Sequence, residues 1–257
     1  MALERSLHPK INGNIFPLIL LPMVVICGLL VFFSLAWRES LVTKWTMATA
    51  IIFLGQIFLV YFIRSCLNDG DEKHPARALG RADTITLARG FLLACSGGFI
   101  NIPRPPGWLC WAPGLLYLLA FIGDGLDGYV ARKLKRPTAF GRVLDLEFDG
   151  LGTLLGSILV ITYRQVPAWY LFVGLGHYLF FTGVWARRVR GMTVRPLPVS
   201  TFRGLVSGAN TVFLALAMTP ALTAFTSTLL SVPVFALLLL SFIKDWLAVT
   251  GLNKANC

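Results

Sequence analysis

Apolar residues in this chain come in long unbroken runs, not in the alternating or one-faced patterns of a soluble fold. Eight runs are read at roughly 15–36, 46–63, 84–100, 108–130, 142–163, 166–186, 203–219 and 227–249, against the about 20 residues a helix needs to cross a bilayer. The expected fold class is therefore all-α, a polytopic integral membrane protein of about eight transmembrane helices; the third and seventh runs are the shortest. The clearest polar break is Asn68–Arg81, NDGDEKHPARALGR. It divides a two-span extension (1–78) from a six-span core (79–257). No internal repeat or low-complexity stretch interrupts either part.

Composition agrees with that reading. Hydrophobic residues make up 56% of the 257 and charged ones 14%, and the mean hydropathy is +0.72, outside the range of ordinary soluble domains. The placement of basic residues tests the span count. With eight spans, one membrane side collects Arg5, Lys10, Arg64, Lys73, Arg77, Arg81, Arg132, Lys133, Lys135, Arg136, Arg142, Arg187, Arg188, Arg190, Arg195, Arg203 and Lys254. The other side receives only Arg38, Lys44, Arg104 and Arg164. Cytoplasmic loops are enriched in Lys and Arg, so both termini are expected in the cytoplasm. An odd number of spans would scramble the segregation. The net charge of +11 is thus a matter of topology and of anionic headgroups or substrate phosphates, and nucleic acid is not an expected partner.

Smaller features add little. The first run is longer than a signal-peptide core and lacks a small-residue cleavage site, so it reads as an anchor. Cys27, Cys66, Cys95, Cys110 and Cys257 show no metal-binding spacing and read as small apolar residues. Trp37, Trp45, Trp108, Trp169 and Trp246 fall near run ends and read as interfacial anchors. The glycines of Ser96–Gly98 and Gly150–Gly156 read as sites of close helix approach.

The chemistry lies in four acids. Asp124 and Asp127 stand i, i+3 at the end of the fourth run, and Asp145 and Asp149 stand i, i+4 at the start of the fifth, with a short basic linker between. Each pair therefore occupies one helical face. Carboxylates near hydrocarbon are costly and usually face a cavity with a function. Two such faces across a hairpin would make an oxygen-rich pocket suited to Mg²⁺ or a similar hard cation. The plainer alternative is a set of solvated helix-end charges balanced by Arg132, Lys133 and Arg142. Glu147 points off the Asp145/Asp149 face and reads as structural or supporting. His177, alone in the sixth run, reads as a packing residue.

The stretch GDGLDGYVARKLKRPTAFGRVLDLEFDG, residues 123–150, has the skeleton Asp124-x2-Asp127-Gly128-x2-Ala131-Arg132-x8-Gly141-x3-Asp145-x3-Asp149. It resembles, at every fixed position, the signature of the CDP-alcohol phosphotransferase family, and residues 84–249 are similar to that family's six-helix core. The resemblance implies that Asp124, Asp127, Asp145 and Asp149 hold metal, two ions of Mg²⁺ or Mn²⁺, and that Asp149 also acts as the catalytic base. By the same resemblance Gly128 admits the nucleotide, Ala131 permits close packing, Arg132 contacts substrate phosphate with Thr138 nearby, and Gly141 admits the nucleotide or a tight turn.

Upstream, Asp83-Thr84-Ile85-Thr86-Leu87-Ala88-Arg89 resembles the family's first core helix, with Asp83 where an asparagine-like residue is usual. Arg89 lies one turn inside an apolar run, where an unpaired cation is costly. It either pairs with the aspartates or binds acceptor phosphate. Arg195 and Arg203 flank the seventh run, where the family commonly places a basic residue, and Arg203 is the candidate to orient a phosphorylated acceptor. Arg187, Arg188 and Arg190 read as topology-setting charges.

The expected function is transfer of a phosphatidyl-type group from a CDP-lipid to a small polar alcohol, with release of CMP at the cytoplasmic face. Glycerol 3-phosphate is favoured over serine, inositol or choline as acceptor. Within the family, a soluble CDP-alcohol donating its headgroup to diacylglycerol stays open. An ion-coupled transporter is the alternative from another class, although no repeat supports it. Intramembrane prenyltransferases place their acids in well-separated helices, unlike this chain. The resemblance also implies a homodimer, since family members commonly pair.

Overall fold

In hydrocarbon every backbone N–H and C=O must be satisfied within the chain, and a run of apolar residues does this most directly as a helix. The computed structural model describes residues 39–68, 81–134, 139–198 and 200–251, together with Gly28, Phe33 and Trp37; of residues 66–68, 81–86, 124–134 and 139 it describes the backbone alone. Most of the first apolar run and the polar break after residue 68 lie outside the described residues. Among the described residues seven helices can be traced end to end. They are α1 (Glu39–Asn68), α2 (Arg81–Gly97), α3 (Ala112–Leu134), α4 (Ala139–Thr162), α5 (Leu171–Val189), α6 (Thr201–Met218) and α7 (Ala224–Thr250), and no strand accompanies them. Each of the second to eighth apolar runs thus falls largely within one helix.

The helix ends follow local chemistry. Ser200 and Thr223 accept hydrogen bonds from the backbone N–H groups of Arg203 and Thr226, capping α6 and α7. Gly251 closes α7 in the left-handed region at φ 80°, where a glycine carries no steric penalty. At the end of α4 that position falls to Arg164, at φ 54°, and the Gln165 N–H closes the turn on the Val160 carbonyl at 2.9 Å. A side chain in the left-handed region costs roughly 1–2 kcal/mol.

Three helical segments are long and apolar enough to cross a membrane: Glu39–Ser65, Thr201–Met218 and Ala224–Thr250. The eight spans expected from the sequence therefore come down to three by length and composition among the described residues. The reason is visible in the others. α2 is 17 residues long and carries Arg89, and α3 and α4 each bring several charged residues into one end. The outward faces are lipid-like all the same. Ile51, Leu54, Phe58 and Tyr61 on α1 and Phe225, Leu229, Leu239 and Leu240 on α7 are exposed, more contiguous apolar surface than a water-soluble chain carries.

Packing centres on α4, which contacts α1, α2, α5 and α6, while α2 packs on α1, α3 and α4. Phe148 of α4 is fully buried and seats on Gly90 of α2, where a Cβ would lie 2.6 Å from the ring. That contact needs glycine, and it fixes the neighbouring Arg89 and Asp149 side by side. The glycines of residues 96–98 and 150–156 do lie at close helix approaches, as expected: a Cβ on Gly97 would come 2.7 Å from Ile52, and one on Gly150 would come 2.5 Å from the His177 ring.

The α3–α6 contact is tighter still, and it yields a prediction. A Cβ on Gly114 would meet the Thr219 side chain and lie 2.5 Å from the Ala215 carbonyl oxygen. Backbone cannot swing aside as a side chain can, so Gly114→Ala should destabilise the protein by about 1–3 kcal/mol. The check is the thermal unfolding midpoint in detergent. An unchanged midpoint would show that the two helices are farther apart than described.

One sequence expectation is corrected here. Trp45 was expected at the membrane interface but is wholly buried, and its indole N–H donates to the Cys95 carbonyl at 3.0 Å. With Phe33 and Phe99 it forms an aromatic cluster, so it packs α1 to α2. Proximity to the end of an apolar run did not distinguish an anchor from a core residue. Trp108, by contrast, is exposed, as an interfacial residue would be.

Candidate active site where α2 meets α4

Asp145 and Asp149 occupy successive turns near the start of α4, and their shared face turns to α2. The i, i+4 spacing puts the two carboxylates on one face, beside the buried Leu144 and Phe148. On α2, Arg89 has its side chain only 3% exposed. Its Nη2 donates to Asp149 Oδ1 at 2.6 Å and to the Asp145 backbone carbonyl at 3.3 Å, and its Nη1 lies 3.9 Å from Asp145 Oδ1. Of the two readings the sequence allowed for Arg89, pairing with the aspartates is the one these distances describe.

The burial is lopsided, and that matters. Asp145 and Asp149 side chains are 43% and 56% exposed, so the cation is sealed in while the carboxylates face outward. A buried guanidinium needs such partners, because an unpaired one costs several kcal/mol. The carboxylates, for their part, can still be reached from outside the bundle.

Helix α3 arrives at the same point. Gly123, directly before Asp124, faces Arg89, with a Cβ there lying 4.0 Å from Arg89 Cβ. Asp124, Asp127, Gly128, Ala131 and Arg132 all belong to the last turns of α3, and their side chains lie outside what is described. Thr138 lies outside the described residues. Gly141 sits half-buried in the first turn of α4. Asp83 falls in the first turn of α2, its side chain again outside the description.

Beneath Asp149 lies a small cavity of about 40 Å³, lined among others by Arg89, Tyr117, Phe148, Asp149, Thr153, Ser207 and Thr211. That is room for a few waters. Tyr117, Thr153, Ser207 and Thr211 were not anticipated from the sequence. Their signal was faint but present: Thr153 lies i+4 from Asp149, and Ser207 and Thr211 make an i, i+4 polar pair on a largely apolar helix.

Arg203 stands one turn before Ser207 on α6, so it shares the cavity-lining face. Its guanidinium donates to Asp245 of α7 at 3.1 Å and to the Pro198 carbonyl at 3.2 Å. Asp245 is buried and was overlooked in the sequence, although it is the sole acid of α7. Glu147 points away from this face, as expected from its spacing, and lies 3.9 Å from His177 Nε2 on α5. His177 packs against Gly150 and Phe181, in keeping with a packing role.

Whether these residues suit a divalent cation can be judged from the donors. Asp145 and Asp149 offer carboxylate oxygens on one face, and Asp124 and Asp127 follow at i, i+3 on the adjoining helix. This is the all-oxygen chemistry that Mg²⁺ and Mn²⁺ prefer. Among the described residues no three His, Cys, Asp or Glu side chains come together, and the α3 pair falls outside that search.

Residues in a stretch of 73 are 34% identical to a CDP-diacylglycerol–glycerol-3-phosphate 3-phosphatidyltransferase of Bacillus subtilis, covering 28% of this chain and 38% of that protein. A stretch of 72 residues is 49% identical to an archaetidylinositol phosphate synthase of Methanothermobacter thermautotrophicus, covering 27% of this chain and 33% of that protein. The matches thus span only about a third of those relatives' length. No solved structure was found to match the chain. A family model described as CDP-alcohol phosphatidyltransferase matches residues 79–243, more than half of the chain and the whole region in which Arg89 meets the aspartates; the chain belongs to that family.

Proposed function

We propose that this protein transfers a phosphatidyl-type group from a CDP-lipid, such as CDP-diacylglycerol, to the hydroxyl of a small polar alcohol and releases CMP. The observation that carries the reading is the Arg89–Asp149–Asp145 cluster, held at the α2–α4 contact inside the family match. In the proposed reaction the acceptor oxygen bonds to the lipid-side phosphorus as the anhydride P–O bond breaks. The bonding electrons leave with CMP, and the acceptor proton passes to Asp149. Arg89 holds Asp149 in place. Arg132 is assigned to the departing phosphate and Gly128 and Gly141 to the nucleotide. Asp124, Asp127, Asp145 and Asp149 would hold two ions of Mg²⁺ or Mn²⁺, whose chemistry is to neutralise the pyrophosphate charge.

A phosphorylated polyol is the favoured acceptor. One relative is named for glycerol 3-phosphate and another for an archaetidylinositol phosphate, and Arg203 stands on the cavity-lining face of α6. For the topology we propose eight spans, with both termini and the active site cytoplasmic, on the strength of the basic residues gathered on one side.

The test is CMP release by the purified protein, with CDP-diacylglycerol and each of glycerol 3-phosphate, serine, inositol and choline, beside CDP-choline with diacylglycerol. Glycerol 3-phosphate with the CDP-lipid should be the productive pair. Turnover only with the soluble CDP-alcohol would reverse the donor assignment. Chelation with EDTA should abolish release and added Mg²⁺ or Mn²⁺ should restore it; full activity after chelation would remove the metal from the scheme.

A further inference from the structure

At the far end of the bundle from Asp149, about 20 Å away along α4 by helical rise, a second cavity of about 490 Å³ opens between two connections. It is lined by Ile100, Asn101, Ile102, Pro103 and Arg104 from the turn after α2, and by Thr162, Tyr163 and Arg164 from the turn after α4. We propose that this cavity is an anion site for a phosphate group, separate from the catalytic centre.

Four observations converge on it. First, two guanidinium groups line one cleft, and neither forms an ion pair with a described residue. Like charges gathered in one recess repel unless an anion lies between them. Second, polar atoms there lack partners. The Arg104 Nε and the Tyr163 hydroxyl are both buried without a hydrogen bond, and the Arg104 Nη2 makes only a long 3.5 Å bond, to the Met218 carbonyl, among the described residues. Buried donors are normally satisfied, so a ligand with several acceptor oxygens fits where the protein supplies none.

Third, the backbone is strained to place Arg164. It occupies the left-handed region at φ 54°, a position at which glycine or asparagine is the usual choice, and strain of this kind is an observed outlier from which function can be argued. Fourth, the sequence makes the cleft exceptional. On the proposed topology the side that holds it carries only four basic residues, and two of them line this cavity. Glu39 is the one acid that the same alternation puts at this end, so the local charge is not balanced by the chain itself.

The ligand class follows from the donors. Paired guanidinium groups bind phosphate in fork geometry, several charge-assisted bonds at a time. Asn101 and the Tyr163 hydroxyl add neutral donors. Ile100, Ile102 and Pro103 give one wall an apolar character, which an acyl chain could follow. The shared chemistry is thus a phosphate, arriving on a phospholipid headgroup or free in solution.

Native mass spectrometry on the full-length detergent-purified protein separates these sources. Wild type, Arg164→Gln and the double variant Arg104→Lys with Arg164→Gln are titrated with phosphatidylglycerol in one arm and inorganic phosphate in the other. Arg164 is exposed, so its single variant should fold normally, and Arg104→Lys keeps a cation near the Met218 carbonyl. Phosphatidylglycerol also resembles the proposed product, so the quantity read is the difference between variants. Wild type should retain one more phosphatidylglycerol or phosphate than the variants, and the single variant should need at least tenfold more ligand for half occupancy. CMP release at saturating substrate should be unchanged in the same variants, which distinguishes this site from the proposed catalytic one. Equal retention by wild type and both variants in both arms overturns the proposal, as does retention of neither ligand by wild type.

Discussion

Asp149→Asn is expected to lower CMP release by about 10²–10⁴-fold, the range for removing a positioned general base. The variant is close to isosteric, so Phe148 can keep its seat on Gly90 and α4 its place in the bundle. What changes is the charge. An amide can still accept a bond from Arg89 but cannot take a proton from an acceptor hydroxyl or contribute a full carboxylate to a cation. Loss of the anion also leaves the sealed guanidinium with weaker compensation, since Asp145 Oδ1 is 3.9 Å from it. The unfolding midpoint should therefore fall modestly while activity collapses. Release of CMP at the wild-type rate by a folded Asp149→Asn protein would defeat the assignment of the base.

Arg89→Met is expected to cut CMP release by about 100-fold, the size of penalty that a misplacement of about 1 Å at a reacting group can bring. The stability outcome should be different in kind. Two effects oppose each other: a buried cation loses its desolvation cost, and two α4 groups lose a donor. Replacing a buried ion by a well-packed apolar side chain of similar length is often neutral. Asp149, more than half exposed, can turn to solvent. The midpoint should thus change little while catalysis suffers, because the 2.6 Å bond from Arg89 that holds the Asp149 carboxylate against α2 is lost. Arg89→Lys should recover part of the rate, as it restores charge without the fork that spans Asp149 and the Asp145 carbonyl. If Arg89→Met matched wild type in turnover, Arg89 would be a packing feature and no more.

Particular residues show how far the sequence could be read. The spacing of Asp145 and Asp149 determined their common face, because helical geometry allows no other result, and the same rule turned Glu147 away from them. Arg89 was legible as a cation in need of partners, since its surroundings in the chain are apolar. Its actual partner was not, because the two readings differed only in which helix would lie beside α2. That depends on Gly90 accepting the Phe148 ring, a contact between residues 58 positions apart which periodicity does not record. The Arg203–Asp245 pair escaped notice for the same reason. Trp45 was misplaced because the end of an apolar run can lie at a bilayer surface or, as here, under a neighbouring turn.

The enclosed position of Arg89 carries a consequence for biogenesis. On the proposed eight-span topology α2 crosses the bilayer, where an arginine at the helix centre disfavours insertion by roughly 2.5–3.5 kcal/mol, and the Asp149 carboxylate that Arg89 bonds is made 60 residues later. On that topology α2 emerges from the ribosome before the Asp149 carboxylate exists, and its hold in the bilayer should strengthen when α4 follows. Nascent chains released before residue 149 should leave α2 poorly anchored on that topology, so that the acid proposed as base would also complete membrane integration.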